Sequence, residues 1–523
     1  MNGLNSCFAL ARAAVATAAA LALAACVQLG GDVATEYSDD YSRDMFNTGY
    51  RFINERYIAP VSLRDLSISG LAGLHQIDSG LTIGPRDRHI EVRYRNRVVG
   101  QLEAPRESDP VAWSETTVNA ISIARNASPL LADAGAETVF KAVFDGVLSP
   151  LDKFSRYDDA ATAAEKRAYR DGFGGIGVTI TQEERDALIL SVTEGGPAAR
   201  AGVRAQDRIT HIEGLSIAGW TQRELVEALR GPINTPVAFT VSRTGAPGPI
   251  AVELTRQHVV PETVEVRREG GIAIVRLVGF NIDSAKELRR AIRKQMRSVD
   301  GPPNGFVLDL RSNPGGRLDV SIDVADIFLE TGNIIETRGR HPGSQQAYAA
   351  SKGDEAGQRP VVVLINGNSA SASEIVTAAL QDHGRAVVIG TNSFGKGSVQ
   401  SVLRLPNNGE ITLTWSRILA PSGYRLHEIG VLPTVCTHGG GDLQSADALV
   451  PAVRGGQNVI AGQLGNWRAT GNEDSADRAG LRTICPSDGG LPDVDIALAR
   501  AIIADQGLYA SLVRQADTAV AHR

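Results

Sequence analysis

A short apolar segment, residues 360–366 (PVVVLIN), constrains the fold more than any other part of this chain. Its β-branched side chains predict a buried strand, which a Gly-Asn pair ends. A helix is predicted next, with Ser373 and Glu374 in its first turns and apolar residues three and four positions apart. Ser371 therefore lies where a strand passes into a helix, facing main-chain N–H groups that lack a partner within the helix. Such a junction suits a nucleophile.

A basic group follows on the same stretch. Residues 393–400 (SFGKGSVQ) form a small, turn-rich segment in which Lys396 is flanked by glycines. A serine hydroxyl needs a base within hydrogen-bond reach, and burial must lower the pKa of a lysine from its ordinary value of about 10.4 before it can serve. Gln400 can orient the amine without adding a charge. We therefore predict Ser371 as nucleophile, Lys396 as general base and Gln400 as the group that supports it.

These motifs resemble the signature of the C-terminal processing proteases, the tail-specific serine peptidases. The matching residues are SASE from Ser371, FGKG around Lys396, and Gln400. The resemblance implies the same three roles. It also implies an α/β fold, with a crotonase/ClpP-like βαβ protease core, an inserted-type PDZ domain and helical N- and C-terminal regions. No cofactor is implied.

A glycine-containing loop follows the strand predicted at residues 305–311. The loop SNPGGRLDV presents main-chain N–H groups just before a helix. It could form a phosphate cradle, but it lacks the Lys-Ser/Thr ending of a P-loop. The resemblance of DLRSNPGG to the family's loop implies an oxyanion hole instead, with Gly316 and Ala372 as N–H donors. Whether Gly315 or Gly316 faces the site is left open.

Residues 170–258 are similar to a PDZ domain. A glycine loop runs into a strand (FGGIGVTI), a short helix follows (GGPAARAGV), and residues 221–225 (TQREL) form a capping box. PDZ domains bind the C-terminal end of a peptide by β-augmentation. The predicted peptide-binding residues are Gly175, Ile176, Gly177, Val178, Leu225 and Leu229.

The N-terminus predicts export. Residues 1–25 combine a positive start at Arg12 with a short apolar stretch, and LAAC at its end resembles a lipobox. Cleavage would leave Cys26 to be acylated, so we expect a periplasmic lipoprotein anchored to a membrane, with residues 26–40 as its tether. An ordinary signal peptide is the alternative. No later run reaches the roughly 18 apolar residues that a spanning helix needs.

The remaining regions complete the predicted organisation. Residues 41–165 predict a mostly helical domain with a charged hairpin at 90–102, residues 261–438 the peptidase core, and residues 439–523 a helical extension without assigned chemistry. Cys436 and Cys485 either form a disulfide or stay free.

Composition narrows the partners. The net charge is −6 and no block of lysine or arginine is present, so nucleic acid is not an expected partner. No metal-ligand spacing is found either. We expect protein or peptide substrates with exposed C-termini, the membrane through a lipid anchor, and an adaptor protein as a further candidate partner.

Two alternatives compete with a serine endopeptidase that selects exported proteins by their C-terminal residues. One is a Ser/His/Asp hydrolase that uses His383 or His427, although neither follows a GxSxG-type motif. The other is a catalytically inactive, membrane-tethered PDZ scaffold.

Overall fold

The computed structural model describes residues 37–106, 108–351, 353–438, 445–457, 459–471 and 477–517. The chain divides into two compact units. The first contains residues 1–55, 60–160 and 402–412, and the second contains residues 56–59, 161–401 and 413–523. The predicted signal peptide and Cys26 lie outside the described residues.

The first unit is mainly helical. Its helices are α1 (Asp39–Arg56), α2 (Leu63–Ala72), α3 (Pro110–Ala127), α4 (Pro129–Asp133) and α5 (Ala136–Leu148). Phe46, Tyr50 and Ile53, whose spacing predicted the first helix, are fully buried. The ring of Phe46 lies 5.7 Å from Phe140 and 5.3 Å from Phe144, both on α5. Aromatic packing between α1 and α5 therefore forms part of this unit's core.

The predicted charged hairpin is confirmed, and a third strand joins it. The sheet contains β1 (Leu81–Arg86), β2 (His89–Tyr94) and β3 (Arg97–Glu103), paired antiparallel in that order. Arg95 and Asn96 form the turn between β2 and β3, both with positive φ, as a tight two-residue hairpin turn requires. In the same unit, β4 (Arg156–Asp158) pairs with the first three residues of β21 (Glu410–Leu419).

The second unit begins with a small β domain where the PDZ domain is expected. After α6 (Ala160–Asp171), its elements are β5 (Phe173–Gly175), β6 (Val178–Gln182), β7 (Ala187–Val192), α7 (Pro197–Arg200), β8 (Arg208–Ile212), β9 (Leu215–Ser216), α8 (Gln222–Leu229), β10 (Pro236–Ser242), β11 (Ile250–Thr255) and β12 (Gln257–Val259). The main sheet has the order β11-β10-β8-β7-β6, while β5 pairs with β12. The capping box of α8 is present, because Thr221 and Glu224 exchange main-chain to side-chain hydrogen bonds of 3.3 and 2.6 Å.

The rest of the second unit alternates strands and helices as predicted. Its elements up to residue 436 are β13 (Val264–Glu269), β14 (Ile272–Leu277), α9 (Ser284–Met296), β15 (Gly305–Asp309), α10 (Leu318–Asp326), β16 (Asn333–Arg338), β17 (Gln346–Ala349), β18 (Val361–Ile365), α11 (Ala372–Asp382), β19 (Val387–Gly390), β20 (Ser398–Arg404), β21 and β22 (Val435–Cys436). The central sheet has the order β13-β14-β15-β18-β19-β22, and all its pairs are parallel except β13 with β14. Strand β18 is buried along its whole length, as a strand covered on both faces must be.

Helices cover both faces of the central sheet. On one face, α10 and α11 contribute to a large core that includes Phe280, Phe306 and Ile375. On the other face, Leu498 and Ile502 pack against alternate residues of the same strands. They belong to the C-terminal helices, which are α12 (Ala446–Arg454), α13 (Leu464–Gly471), α14 (Arg478–Arg482), α15 (Pro492–Ala504) and α16 (Gln506–Asp517). The predicted C-terminal helices therefore complete the core.

Two further features concern the C-terminal region. Cys436 and Cys485 form a disulfide bond, which decides between the two alternatives left open by the sequence. Within the described residues, no single helix is long and apolar enough to cross a membrane; α15 and α16 pass that test only as a pair bent by 104°.

Candidate active site

Ser371 occupies the turn between β18 and α11, as predicted. Its backbone has φ 56° and ψ −110°, a conformation that non-glycine residues rarely adopt and that costs about 1–3 kcal/mol. Helix α11 begins at the next residue, Ala372, with Glu374 in its first turn. The main-chain N–H of Ser371 donates a 2.7 Å hydrogen bond to the Glu374 carboxylate. This contact stabilises the strained conformation at the candidate nucleophile.

The glycine loop after β15 packs directly against Ser371. A Cβ on Gly315 would lie 3.0 Å from the Cβ of Ser371 and 2.9 Å from the main-chain nitrogen of Ala372. Gly315 donates its N–H to Asn313 Oδ1 at 2.9 Å, so this group is already engaged. Gly316 instead forms a parallel bridge with Phe280 that uses the groups of its neighbours, Gly315 O and Arg317 N.

These hydrogen bonds bear on whether Gly315 or Gly316 is the better candidate for an oxyanion donor. Within the described residues, neither the N–H of Gly316 nor that of Ala372 has a hydrogen-bond acceptor. Gly316 and Ala372 are therefore the pair left to act as oxyanion donors, while Gly315 shapes the loop. The donor pair remains a prediction.

Asn313 holds this loop in place, a role that the sequence did not reveal. Its side chain is fully buried and donates to Leu277 O at 2.6 Å. Its main-chain carbonyl oxygen accepts from the N–H of Ala370 and from the hydroxyl of Ser373, both at 3.0 Å. Asn313 thus links the glycine loop to both sides of Ser371.

Glu374 is the second residue whose role was missed. Its carboxylate is almost fully buried and accepts four hydrogen bonds. The donors are Ser371 N (2.7 Å), Lys396 N (2.9 Å), Gly395 N (2.6 Å) and Ser393 Oγ (2.5 Å). One side chain therefore fixes both the Ser371 turn and the loop that carries Lys396. Ser371 and Glu374 form a capping box in the structure, but only the contact with Ser371 belongs to that motif.

Lys396 lies in the loop between β19 and β20 and is partly buried. This loop also contacts the Ser371 turn directly, because Phe394 N donates to Ser369 O at 3.0 Å. On its other side, Gly395 O accepts from Glu428 N at 2.9 Å. The structure thus brings the backbone segments of Ser371 and Lys396 together. Gln400 follows on β20, where its side-chain amide donates to Ser398 Oγ at 2.9 Å.

The two histidines of the competing hydrolase hypothesis occupy different surroundings. His383 caps the C-terminal end of α11, about 18 Å along the helix from Ser371, and its Nε2 lies 2.7 Å from Asn333 O. This position argues against His383 as a base for Ser371. His427 lies beside the Lys396 loop, with its Nε2 3.7 Å from the Glu428 carboxylate.

A cavity lies on the PDZ-like domain where the sequence predicted a peptide groove, with one change in its lining residues. A cavity of about 520 Å³ lies between β6 and α8, lined among others by Gly175, Ile176, Gly177, Val178 and Leu229. Leu225 was predicted to line it, but its side chain is fully buried in the domain core. Val226, the next residue on α8, lines the groove instead. The guanidinium of Arg230 stacks 3.9 Å above the ring of Phe173 at the same cavity.

Among the residues that the structure describes, no group of three or more His, Cys, Asp or Glu side chains could hold a metal ion.

Comparison with known proteins gives consistent results. Residues 271–437 match peptidase family S41, and residues 188–243 match the PDZ domain. A carboxy-terminal-processing protease of Bartonella bacilliformis is 43% identical over 293 residues, which cover 56% of this chain and 68% of that protein. A probable CtpA-like serine protease of Staphylococcus aureus is 32% identical over 306 residues, covering 57% and 60%. The solved photosystem II D1 C-terminal processing protease has 22% identity and a TM-score of 0.37 over 76% of this chain and 92% of its own.

The α/β core and the PDZ domain define a serine-type peptidase. Within that class, the chain belongs to the carboxy-terminal-processing proteases of peptidase family S41.

Proposed function

We propose that this protease uses a Ser/Lys dyad, in which neutral Lys396 accepts the proton of Ser371 as its hydroxyl attacks a peptide carbonyl. Gln400 orients the lysine. The Gly316 and Ala372 N–H groups stabilise the oxyanion, whose collapse breaks the peptide C–N bond while Lys396 gives the proton to the departing amine; water then hydrolyses the acyl-enzyme. The observation that carries the proposal is the shared carboxylate of Glu374, which accepts hydrogen bonds from Ser371 N and Lys396 N at 2.7 and 2.9 Å.

The PDZ domain selects substrates by their C-terminal residues. The glycine loop at Gly175–Gly177 binds the terminal carboxylate, β6 adds the peptide as a further strand, and the apolar floor formed by Ile176, Val226 and Leu229 takes the last side chain. The substrates are exported proteins, because the N-terminal segment has the pattern of a lipoprotein signal with Cys26 as its acylated residue. The enzyme works at a periplasmic membrane surface, where an adaptor protein is a candidate partner.

The dyad is tested by measuring cleavage of an unfolded protein with purified Ser371→Ala and Lys396→Ala. Each change should abolish cleavage, since neither group can replace the other. Labelling of Ser371 by a fluorophosphonate should disappear in the first variant and slow strongly in the second. Lys286→Ala, which removes an exposed lysine of α9, is the matched control and should retain full activity.

Retained cleavage in either dyad variant, with its fold verified by circular dichroism, would remove that residue from the mechanism. The pH dependence of kcat/KM separates the dyad from the remaining histidine alternative. If the profile has a limb near the ordinary histidine pKa of about 6.5 and this limb disappears in His427→Ala, the base is His427 rather than Lys396.

A further inference from the structure

The loop that carries Lys396 is held from a second direction by the C-terminal region. We call residues 482–488 the C-terminal brace; it begins at Arg482, the last residue of α14, and includes Cys485 and Ser487. These residues lie beyond residues 271–437, which match the S41 family. The brace therefore lies outside the part of the chain that matches the family.

Arg482 contacts the Lys396 loop through its guanidinium group. Nη2 donates to the carbonyl oxygen of Ser393 at 2.8 Å, and Nη1 donates to that of Ile429 at 3.1 Å. A Cβ on Gly395 would lie only 3.3 Å from Nη1, so the guanidinium packs against the residue before Lys396. The planar fork of arginine suits two carbonyl groups in fixed positions.

Arg482 and Glu374 act on the same loop with opposite hydrogen-bonding groups. Glu374 accepts from Ser393 Oγ, Gly395 N and Lys396 N, whereas Arg482 donates to Ser393 O. The loop is thus held through its donors by an anion and through a carbonyl by a cation. Burial lowers the pKa of the Arg482 guanidinium, and the Glu374 carboxylate opposes this shift.

The other end of the brace reaches the Ser371 side of the site. The carbonyl oxygen of Ser487 accepts from Thr391 Oγ1 at 3.2 Å, and a Cβ on Gly367 would overlap this same oxygen. Gly367 precedes the Ser371 turn, and Thr391 precedes the Lys396 loop. The disulfide between Cys485 and Cys436 ties the middle of the brace to β22 of the central sheet. The brace therefore touches both chain segments that approach the dyad.

We propose that Arg482 is a positioning residue, which holds the Lys396 loop in register with Ser371 from a brace that the Cys436–Cys485 disulfide fixes to the core. This role rests on the proposed function of Lys396 and Ser371. A displacement of about 1 Å can lower a rate on the order of 100-fold, so a loop held on one side only should catalyse poorly.

The test compares Arg482→Ala, Arg482→Lys and Arg478→Ala in the full-length enzyme. Arg478 lies one turn earlier on α14, where it approaches the exposed carboxylate of Glu428 at 3.8 Å, and its removal should leave kcat unchanged. Arg482→Ala should lower kcat about 10- to 100-fold while KM and the affinity of the PDZ domain for a peptide stay constant. Arg482→Lys should recover part of the loss, because an ammonium group can reach one carbonyl but not bridge two.

The disulfide supplies a second measurement. Cys436→Ala/Cys485→Ala should lower kcat in the same direction, and adding Arg482→Ala should cost less in this background than in the wild type. Additive losses would separate the disulfide from Arg482 and overturn the brace. Wild-type kcat in Arg482→Ala, or a loss that merely follows the unfolded fraction, would overturn it as well.

The proposed function and the proposed role of Arg482 are contradicted by different results. Activity in Lys396→Ala would remove the dyad, whereas an inactive Lys396→Ala beside a fully active Arg482→Ala would remove the brace alone.

Discussion

The main-chain N–H of Lys396 donates a 2.9 Å hydrogen bond to the buried carboxylate of Glu374. The same carboxylate oxygen accepts the N–H of Ser371, so the candidate nucleophile and base are attached to one rigid side chain. Four donors surround the group in total. A carboxylate can accept all four, whereas an amide cannot, because its nitrogen is only a donor.

Glu374→Gln should therefore reduce both stability and activity. The amide turns an N–H₂ group toward N–H donors, and leaving a buried donor without an acceptor costs about 1–3 kcal/mol. We expect this loss in the free energy of unfolding in urea, together with a lower kcat. Glu224→Gln is the matched control, because Glu224 occupies the same position of an exposed capping box on α8. Its cost should stay within about 0.5 kcal/mol. Equal effects of the two changes would contradict the role of Glu374.

The same residue predicts a pH dependence of stability. Burial raises the pKa of the Glu374 carboxyl group above its ordinary value, while its hydrogen bonds oppose this shift. Between the unfolded and the raised folded pKa, the folded state binds more protons, so the contribution of this group to stability falls as the pH rises. The stability of the wild type relative to Glu374→Gln should decrease upward from about pH 4.5. Urea unfolding at a series of pH values measures this difference, and a difference that grows with pH would refute the assignment.

Gly316→Ala should damage catalysis more than stability. A Cβ at this position would overlap the carbonyl oxygen of Phe280, so the loop must move and take the Gly316 N–H with it. Losing one oxyanion donor lowers kcat about 100- to 1,000-fold, with a smaller change in KM. Gly301→Ala is the control, since Gly301 has φ +78° but no atom within 4 Å of an added Cβ. Similar kinetics in the two variants would exclude Gly316 as a donor.

The sequence predicted the parts of this site that depend on local order. The apolar run of β18, the turn at Ser371 and the helix after it follow from residue types and spacing along one stretch of chain. The two glycines at 315 and 316 likewise predicted a loop with available N–H groups. The sequence could not show which glycine has an available N–H group. The side chain of Asn313 accepts the N–H of Gly315, and Phe280, which is distant in sequence, forms the bridge with Gly316.

The parts that were missed depend on long-range contacts. Three of the four donors to Glu374 come from the Lys396 loop, so the sequence around Ser371 gave no sign of them. On α8, Leu225 and Val226 are neighbouring apolar residues, and helical spacing alone cannot tell the face toward the domain core from the face toward the groove. The disulfide, which the sequence left as one of two alternatives, and the contacts of Arg482, which it did not predict, join segments whose proximity follows only from the packing of the C-terminal helices.

Leu225 and Val226 should therefore respond differently to substitution. Leu225→Ala removes a fully buried side chain and should cost about 2–5 kcal/mol of unfolding free energy. Val226→Asp places a charge in the groove and should weaken binding of a peptide with an apolar C-terminus by at least tenfold, with little change in stability. Calorimetric titration with the free peptide and with its C-terminally amidated form measures the binding. Unchanged affinity in Val226→Asp would place the peptide elsewhere.

A substitution at the C-terminal end of α11 should lower stability without affecting catalysis. Asp382 forms a 2.5 Å ion pair with Arg468 of α13, and the two side chains are 0% and 3% exposed. Asp382→Ala leaves a buried guanidinium without its counter-charge, which should cost about 3–5 kcal/mol in unfolding free energy. Glu227→Ala, which breaks the exposed pair with Arg223, should cost less than about 1 kcal/mol. Because Asp382 lies about 16 Å along the helix from Ser371, kcat per folded molecule should persist at temperatures where the variant is folded. A fall in kcat without a fall in unfolding free energy would show that α11 transmits changes from its C-terminal anchor to the nucleophile.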